Sequence, residues 1–108
     1  MSHLSAHVLD AAAGHPAAGV SIHLADGAGT LIAESTTDSD GRVSDLGPDQ
    51  LPAGEYQVKF ATGEYFAGRG VECFHPSVSV VFTVQAGQAH YHIPLLLSPY
   101  AYTTYRGS

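Results

Sequence analysis

Apolar side chains return at every second position of this chain, in short runs separated by turn sequences. In "GVSIHLADG" Val20, Ile22 and Leu24 share one side of an extended backbone, with Ser21 and His23 on the other. "EYQVKFA" sets Tyr56, Val58 and Phe60 against Gln57 and Lys59, and "SVSVVFTVQ" sets Val78, Val80, Phe82 and Val84 against Ser79 and Thr83. This is the period of a strand with one face buried. Turn signals lie between the runs: "DGAG" at 26–29, "DSDG" at 38–41, "LPAGE" at 51–55, "QAGQ" at 85–88 and "SP" at 98–99. The spacing predicts an all-β protein, an antiparallel sandwich or barrel. One stretch leaves the alternation. "ATGEYFAGRG", residues 61–70, predicts a short helix with Thr62 as cap, Glu64 in the first turn, and Gly68 and Gly70 as stops.

A length of 108 residues fits one domain, 1–108, with a single core. Cys73 is the lone cysteine, which excludes an internal disulfide and a cysteine-based zinc site and suits a reducing compartment. Met1 is followed by "SHLSAHVLDAAAGHP", with no basic start and no apolar run of signal length, so a cytoplasmic location is expected. No stretch is long enough to span a membrane as a helix. The net charge is −6, and the cations are Arg42, Lys59, Arg69 and Arg106. Without a basic stripe, nucleic-acid binding is not expected. Seven histidines against four Lys and Arg is an unusual ratio, and histidine titrates near neutrality.

Alternation along "HYHIPLLLS" sends Tyr91, Ile93, Leu95 and Leu97 to the core face and His90, His92 and Pro94 away from it. Pro94 cannot donate to a ladder, so an irregular or edge position is expected there. In "LSAHVLD" His7 shares its face with Ser5 and Leu9, opposite Leu4, Ala6 and Val8. His23 occupies an ordinary polar-out slot and is expected to be solvated. His3, His15 and His75 receive no role. His90, His92 and His7 have the ligand types for a zinc site, but no carboxylate or cysteine pattern completes a shell.

The segments "LSAHVLDAAAGHPA", "TDSDGRV" and "HYHIPLLLSPYAYTTYRGS" together resemble the transthyretin-related proteins that act as 5-hydroxyisourate hydrolases. The likeness is collinear over nearly the whole chain, and the ending "YRGS" is specific to the enzyme branch. It implies a two-sheet antiparallel transthyretin-like sandwich with one short helix, assembled as a homotetramer, a dimer of dimers, with active sites at the dimer–dimer interface. It implies hydrolysis of 5-hydroxyisourate in urate catabolism without a metal or organic cofactor. Carried over by position, the catalytic residues are His7, Arg42, His92 and Ser108, and the substrate-binding residues His7, Arg42, Tyr105 and Arg106.

The chemistry suits these types. Imidazole accepts a proton at neutral pH without being charged beforehand, and the sequence gives no preference between His7 and His92 as base. The planar donor fork of Arg42 suits a flat, oxygen-rich, acidic heterocycle. Two rival readings share the fold. One is a ligand carrier like transthyretin itself, whose apolar hormone would not need His7, Arg42, His92 and "YRGS". The other is a structural sandwich module, which would lack the histidine-bearing strand near the end.

Overall fold

The computed structural model describes residues 2–107. The strands are β1 (Leu4–Asp10), β2 (His15–Pro16), β3 (Ser21–Asp26), β4 (Leu31–Thr36), β5 (Arg42–Val43) and β6 (Gly54–Phe60). The helix α1 (Thr62–Gly68) follows, then β7 (Val78–Val84), β8 (Tyr91–Ser98) and β9 (Ala101–Thr104). They form two sheets. One runs β2-β1-β8-β9 with β5 also pairing β1, and the other runs β4-β3-β6-β7. This is the expected two-sheet sandwich with one short helix. Every pairing is antiparallel except that of β1 with β8, which run side by side in parallel.

The core follows the alternation. Leu4, Ala6 and Val8 of β1, Ile22 and Leu24 of β3, Val58 and Phe60 of β6, and Leu95 and Leu97 of β8 are all buried between the sheets. Each large member contributes about 1.5–3 kcal/mol through removal from water. The β4 strand was not singled out from the sequence. Leu31 and Ile32 are exposed on it because it closes one edge of its sheet.

The helix begins one residue earlier than expected. Ala61 is the N-cap and makes no side-chain capping bond, while Thr62 lies inside the first turn with its hydroxyl buried and unpartnered among the described residues. Tyr65 and Phe66 fix α1 to the sandwich. The Tyr65 hydroxyl donates to the buried carboxylate of Asp10 at 2.8 Å, and the Ala13 N–H donates to the same carboxylate at 2.9 Å. Burial and this bond push the Tyr65 hydroxyl up to about 12. Burial opposes the charge on Asp10, but the two hydrogen bonds, with Arg69 and His15 nearby, hold its carboxyl below the usual range.

Of the irregular or edge position expected of Pro94, the irregular one holds, since β8 lies between β1 and β9. The carbonyls of His92 and Pro94 both accept from the C-terminal segment, from Gly107 N–H at 2.9 Å and Thr104 Oγ1 at 2.7 Å. The missing Pro94 N–H therefore faces the place where pairing with β9 lapses, and no bond to β1 is lost. His3, which received no role above, has a structural one. It is buried, takes a hydrogen bond from Leu51 N–H at Nδ1, and donates from Nε2 to the Gln88 carbonyl at 2.7 Å.

Candidate active site

The outer face of the β1 sheet gathers most of the residues singled out above. Residues opposite one another across a ladder share a face. His7 lies opposite Arg42 of β5, and Ser5 opposite His92 of β8. His92 in turn pairs with Gly107. Leu4, Ala6 and Val43, at the intervening positions, are buried on the other face. Arg42, His7, Ser5, His92 and Gly107 thus form a band across four neighbouring strand positions, on the order of 15 Å wide at ordinary strand spacing. Ser5, Arg42, Ser44, His90 and His92 line an open cleft of about 290 Å³ along it.

Arg42 owes its place to the "DSDGR" turn. Asp38 Oδ1 accepts from the N–H groups of Asp40 and Arg42, at 2.9 and 3.0 Å. The Arg42 bond is the leading reason why the Asp38 carboxyl stays below its usual range. Gly41 completes the turn with φ of 75°, and a side chain there would drive into the Val8 carbonyl. Asp38 therefore engages the backbone of Arg42. Among the described residues no carboxylate is ion-paired with its guanidinium.

His7 Nε2 lies 2.9 Å from the Asp40 carbonyl, which can only accept, so this nitrogen carries the proton and Nδ1 of the neutral ring is bare. His92 is half-buried, and its Nδ1 lies 2.8 Å from Ser5 Oγ. Burial, then repulsion by the Arg42 guanidinium, and by His7 and His90 whenever those rings are protonated, keep its pKa below 6.5. At neutral pH the ring is uncharged, the condition for a proton acceptor.

The C-terminal segment flanks this face. Leu95 opposite Thr104 and His92 opposite Gly107 keep one register, which sets Tyr105 beside Pro94 on the outer side. Tyr105 is well exposed. Arg106 is not brought into the band. Its guanidinium lies 5.2 Å from the centre of the Tyr91 ring, beside a cavity of about 340 Å³ lined by Val80, Phe82, Ile93 and Thr104 that also reaches His92 and Tyr105. Ser108 lies outside the described residues. His23 is exposed and 3.4 Å from Glu34, as a solvated histidine would be. Among the described residues no three His, Cys, Asp or Glu side chains gather as a metal-binding group. Sequence reasoning passed over Ser5. Its signal was parity: a hydroxyl two residues before His7, on the same face of the same strand.

Fold and face together define a transthyretin-like sandwich whose outer sheet surface is rich in imidazole. The description "HIUase/Transthyretin family" matches residues 4–107, and the chain belongs to that family. The 5-hydroxyisourate hydrolase of Salmonella dublin is 44% identical over 109 residues, covering 97% of this chain and 80% of the relative. The solved 5-hydroxyisourate hydrolase of Klebsiella pneumoniae superposes with a TM-score of 0.91 at 36% identity, covering 99% of this chain and 100% of that one. Sea bream transthyretin in complex with thyroxine also superposes with a TM-score of 0.91, at 38% identity, covering 97% and 94% of the two chains.

Proposed function

We propose that this chain hydrolyses 5-hydroxyisourate, opening the six-membered ring with water to give 2-oxo-4-hydroxy-4-carboxy-5-ureidoimidazoline in urate catabolism. The observation that carries the reading is the shared face of Arg42, His7 and a neutral His92. The identity to a relative bearing that enzyme name supports it.

His92 is the base. Its Nε2 takes a proton from water as the water oxygen adds to the ring carbonyl carbon. Negative charge collects on the carbonyl oxygen, where the Arg42 guanidinium meets it with fixed donors. As the carbon–nitrogen bond breaks, the proton passes to the departing ring nitrogen and His92 returns to neutrality. His7 accepts a substrate N–H at its bare Nδ1 and fixes the ring plane. Tyr105 walls the pocket, Arg106 adds a second cation from the tail, and Ser108 touches substrate or water. Side chains of this chain suffice for every step.

The working unit in this reading is a homotetramer, a dimer of dimers, of one transthyretin-like domain spanning 1–108, in the cytoplasm. A second copy across the open cleft excludes water and strengthens each charge interaction inside it. The end strands β7 and β9, with Val81 and Tyr102 exposed, supply edges for pairing between copies. No helix among the described residues is long and apolar enough to cross a membrane.

The second reading, a carrier, rests on the likeness to a transthyretin solved with thyroxine. The ultraviolet decay of freshly prepared 5-hydroxyisourate separates the two. The enzyme accelerates it in proportion to protein concentration, and an unchanged decay favours the carrier.

A further inference from the structure

Beside the band of Arg42, His7 and His92 lies a chain of hydrogen bonds whose directions follow one from another when His90 is neutral. His90 Nδ1 is 3.2 Å from the carbonyl of Ser2. A carbonyl only accepts, so this nitrogen bears a proton, and Nε2 of neutral His90 bears none. His90 Nε2 is 2.9 Å from Ser5 Oγ and must therefore accept the Ser5 hydroxyl proton. The hydroxyl has one proton to give. Its remaining contact, 2.8 Å to His92 Nδ1, is thus one in which Ser5 Oγ accepts and His92 Nδ1–H donates. The opposite polarity would require His90 to carry protons on both nitrogens.

The start of this chain is well anchored. Ser2 is buried, its N–H donates to the Asp45 carboxylate at 2.7 Å, and its hydroxyl donates to the Leu4 carbonyl at 2.8 Å. The Tyr91 N–H donates to the His3 carbonyl at 2.9 Å, which ties the residue after His90 to the one after Ser2. The Ser2 carbonyl is therefore a fixed acceptor, and one fixed acceptor sets every bond downstream of it.

We propose that Ser5 and His90 are positioning residues that hold His92 as the Nδ1–H tautomer, so that its Nε2 is presented bare to the cleft. The catalytic consequence rests on the hydrolase reading above, because there Nε2 of His92 takes the proton from water. The tautomer itself does not depend on that reading. A His92 released from Ser5 would divide between its two tautomers, and the Nε2–H form cannot act as base at that nitrogen.

The test is the tautomer of His92 in the intact protein at neutral pH, read from nitrogen-15 shifts and long-range ring couplings, beside the kinetics of 5-hydroxyisourate decay. The expected spectrum has a protonated Nδ1 and a pyridine-like Nε2 on His92. In Ser5→Ala and His90→Phe this assignment is lost, and kcat falls about tenfold or more, within the range that general-base catalysis supplies, with little change in KM. Ser5→Thr keeps the hydroxyl, and His90→Gln places an amide oxygen near Nε2, so both retain the tautomer and stay within about threefold of the parent. A parent protein with His92 protonated at Nε2 overturns the proposal, even if every variant fails to fold. A preserved tautomer and kcat in folded Ser5→Ala overturns it as well. The expected tautomer in a protein that does not accelerate decay leaves the positioning intact and sinks the hydrolase reading instead.

Discussion

Gly107 rests against the ring of His92. Its N–H donates to the His92 carbonyl at 2.9 Å, and a β-carbon at Gly107 would lie 2.6 Å from His92 Cδ2 and 3.1 Å from Pro94 Cγ. Only a residue without a side chain lets the C-terminal segment pair with β8 while the imidazole keeps its place. Gly107→Ala must move either the ring or the tail. A displacement near 1 Å at a reacting group costs about a hundredfold in rate, and that loss in kcat/KM is expected here. The melting temperature should barely change, because Gly107 lies outside the hydrophobic core between the sheets. Thermal unfolding and initial rates on one preparation check both halves.

Removing Arg106, Gly107 and Ser108 takes away the Gly107 bond, the Arg106 guanidinium over Tyr91 and the terminal serine together. Hydrolysis should be abolished while the sandwich stays folded, since the core lies between the sheets and the cation–π contact is worth only about 0.5–1 kcal/mol. Activity assays with circular dichroism and sizing test this. A truncated protein with full activity contradicts the role given to the tail.

The pH dependence follows from His92. Its folded pKa lies below the ordinary 6.5, so the neutral, competent form persists as pH falls through 6.5 and is lost only lower. The acid limb of kcat/KM should therefore have its midpoint under 6.5. Stability carries the same sign. Between the folded and unfolded pKa values the unfolded chain binds more protons, so His92 lends stability above 6.5 that declines as pH drops through that window. A rate profile, with chemical denaturation at matching pH values, measures both.

Tyr65→Phe tests the tie between helix and sheet away from the site. It leaves the buried Asp10 carboxylate with one hydrogen bond fewer, which should destabilise the fold by about 1–3 kcal/mol. The kcat should be close to the parent's. Asp10 also sets a sign with pH: its folded pKa is depressed, so its contribution is present above 3.8 and is lost on acidification below it. Urea unfolding of parent and variant at neutral pH gives the difference directly.

The sequence revealed faces better than partners. Period-two alternation identified which side chains of β1, β3, β6, β7 and β8 point inward, because one buried face forces that pattern. It correctly turned His7, His90 and His92 outward. It carried no information on which strands touch, so the parallel pairing of β1 with β8, which sets Ser5 opposite His92, was not legible. Pro94 announced an irregularity without its place, because a ladder can lapse on one side of a central strand. His3 and Ser5 were missed for a related reason. Their partners at Gln88, Leu51, His90 and His92 are distant in sequence, and local pattern does not report a long-range hydrogen bond. The "DSDGR" turn was legible because Asp38, Gly41 and Arg42 are contiguous and each has a local backbone reason for its place.

The most direct measurement is the initial rate of 5-hydroxyisourate decay with parent protein and with folded His92→Ala at equal concentration. The parent should accelerate decay, and the variant should lose about a hundredfold to ten-thousandfold of that acceleration, the usual contribution of a positioned base. Equal rates for the two proteins, or a parent that leaves the spontaneous decay unchanged, would contradict the account.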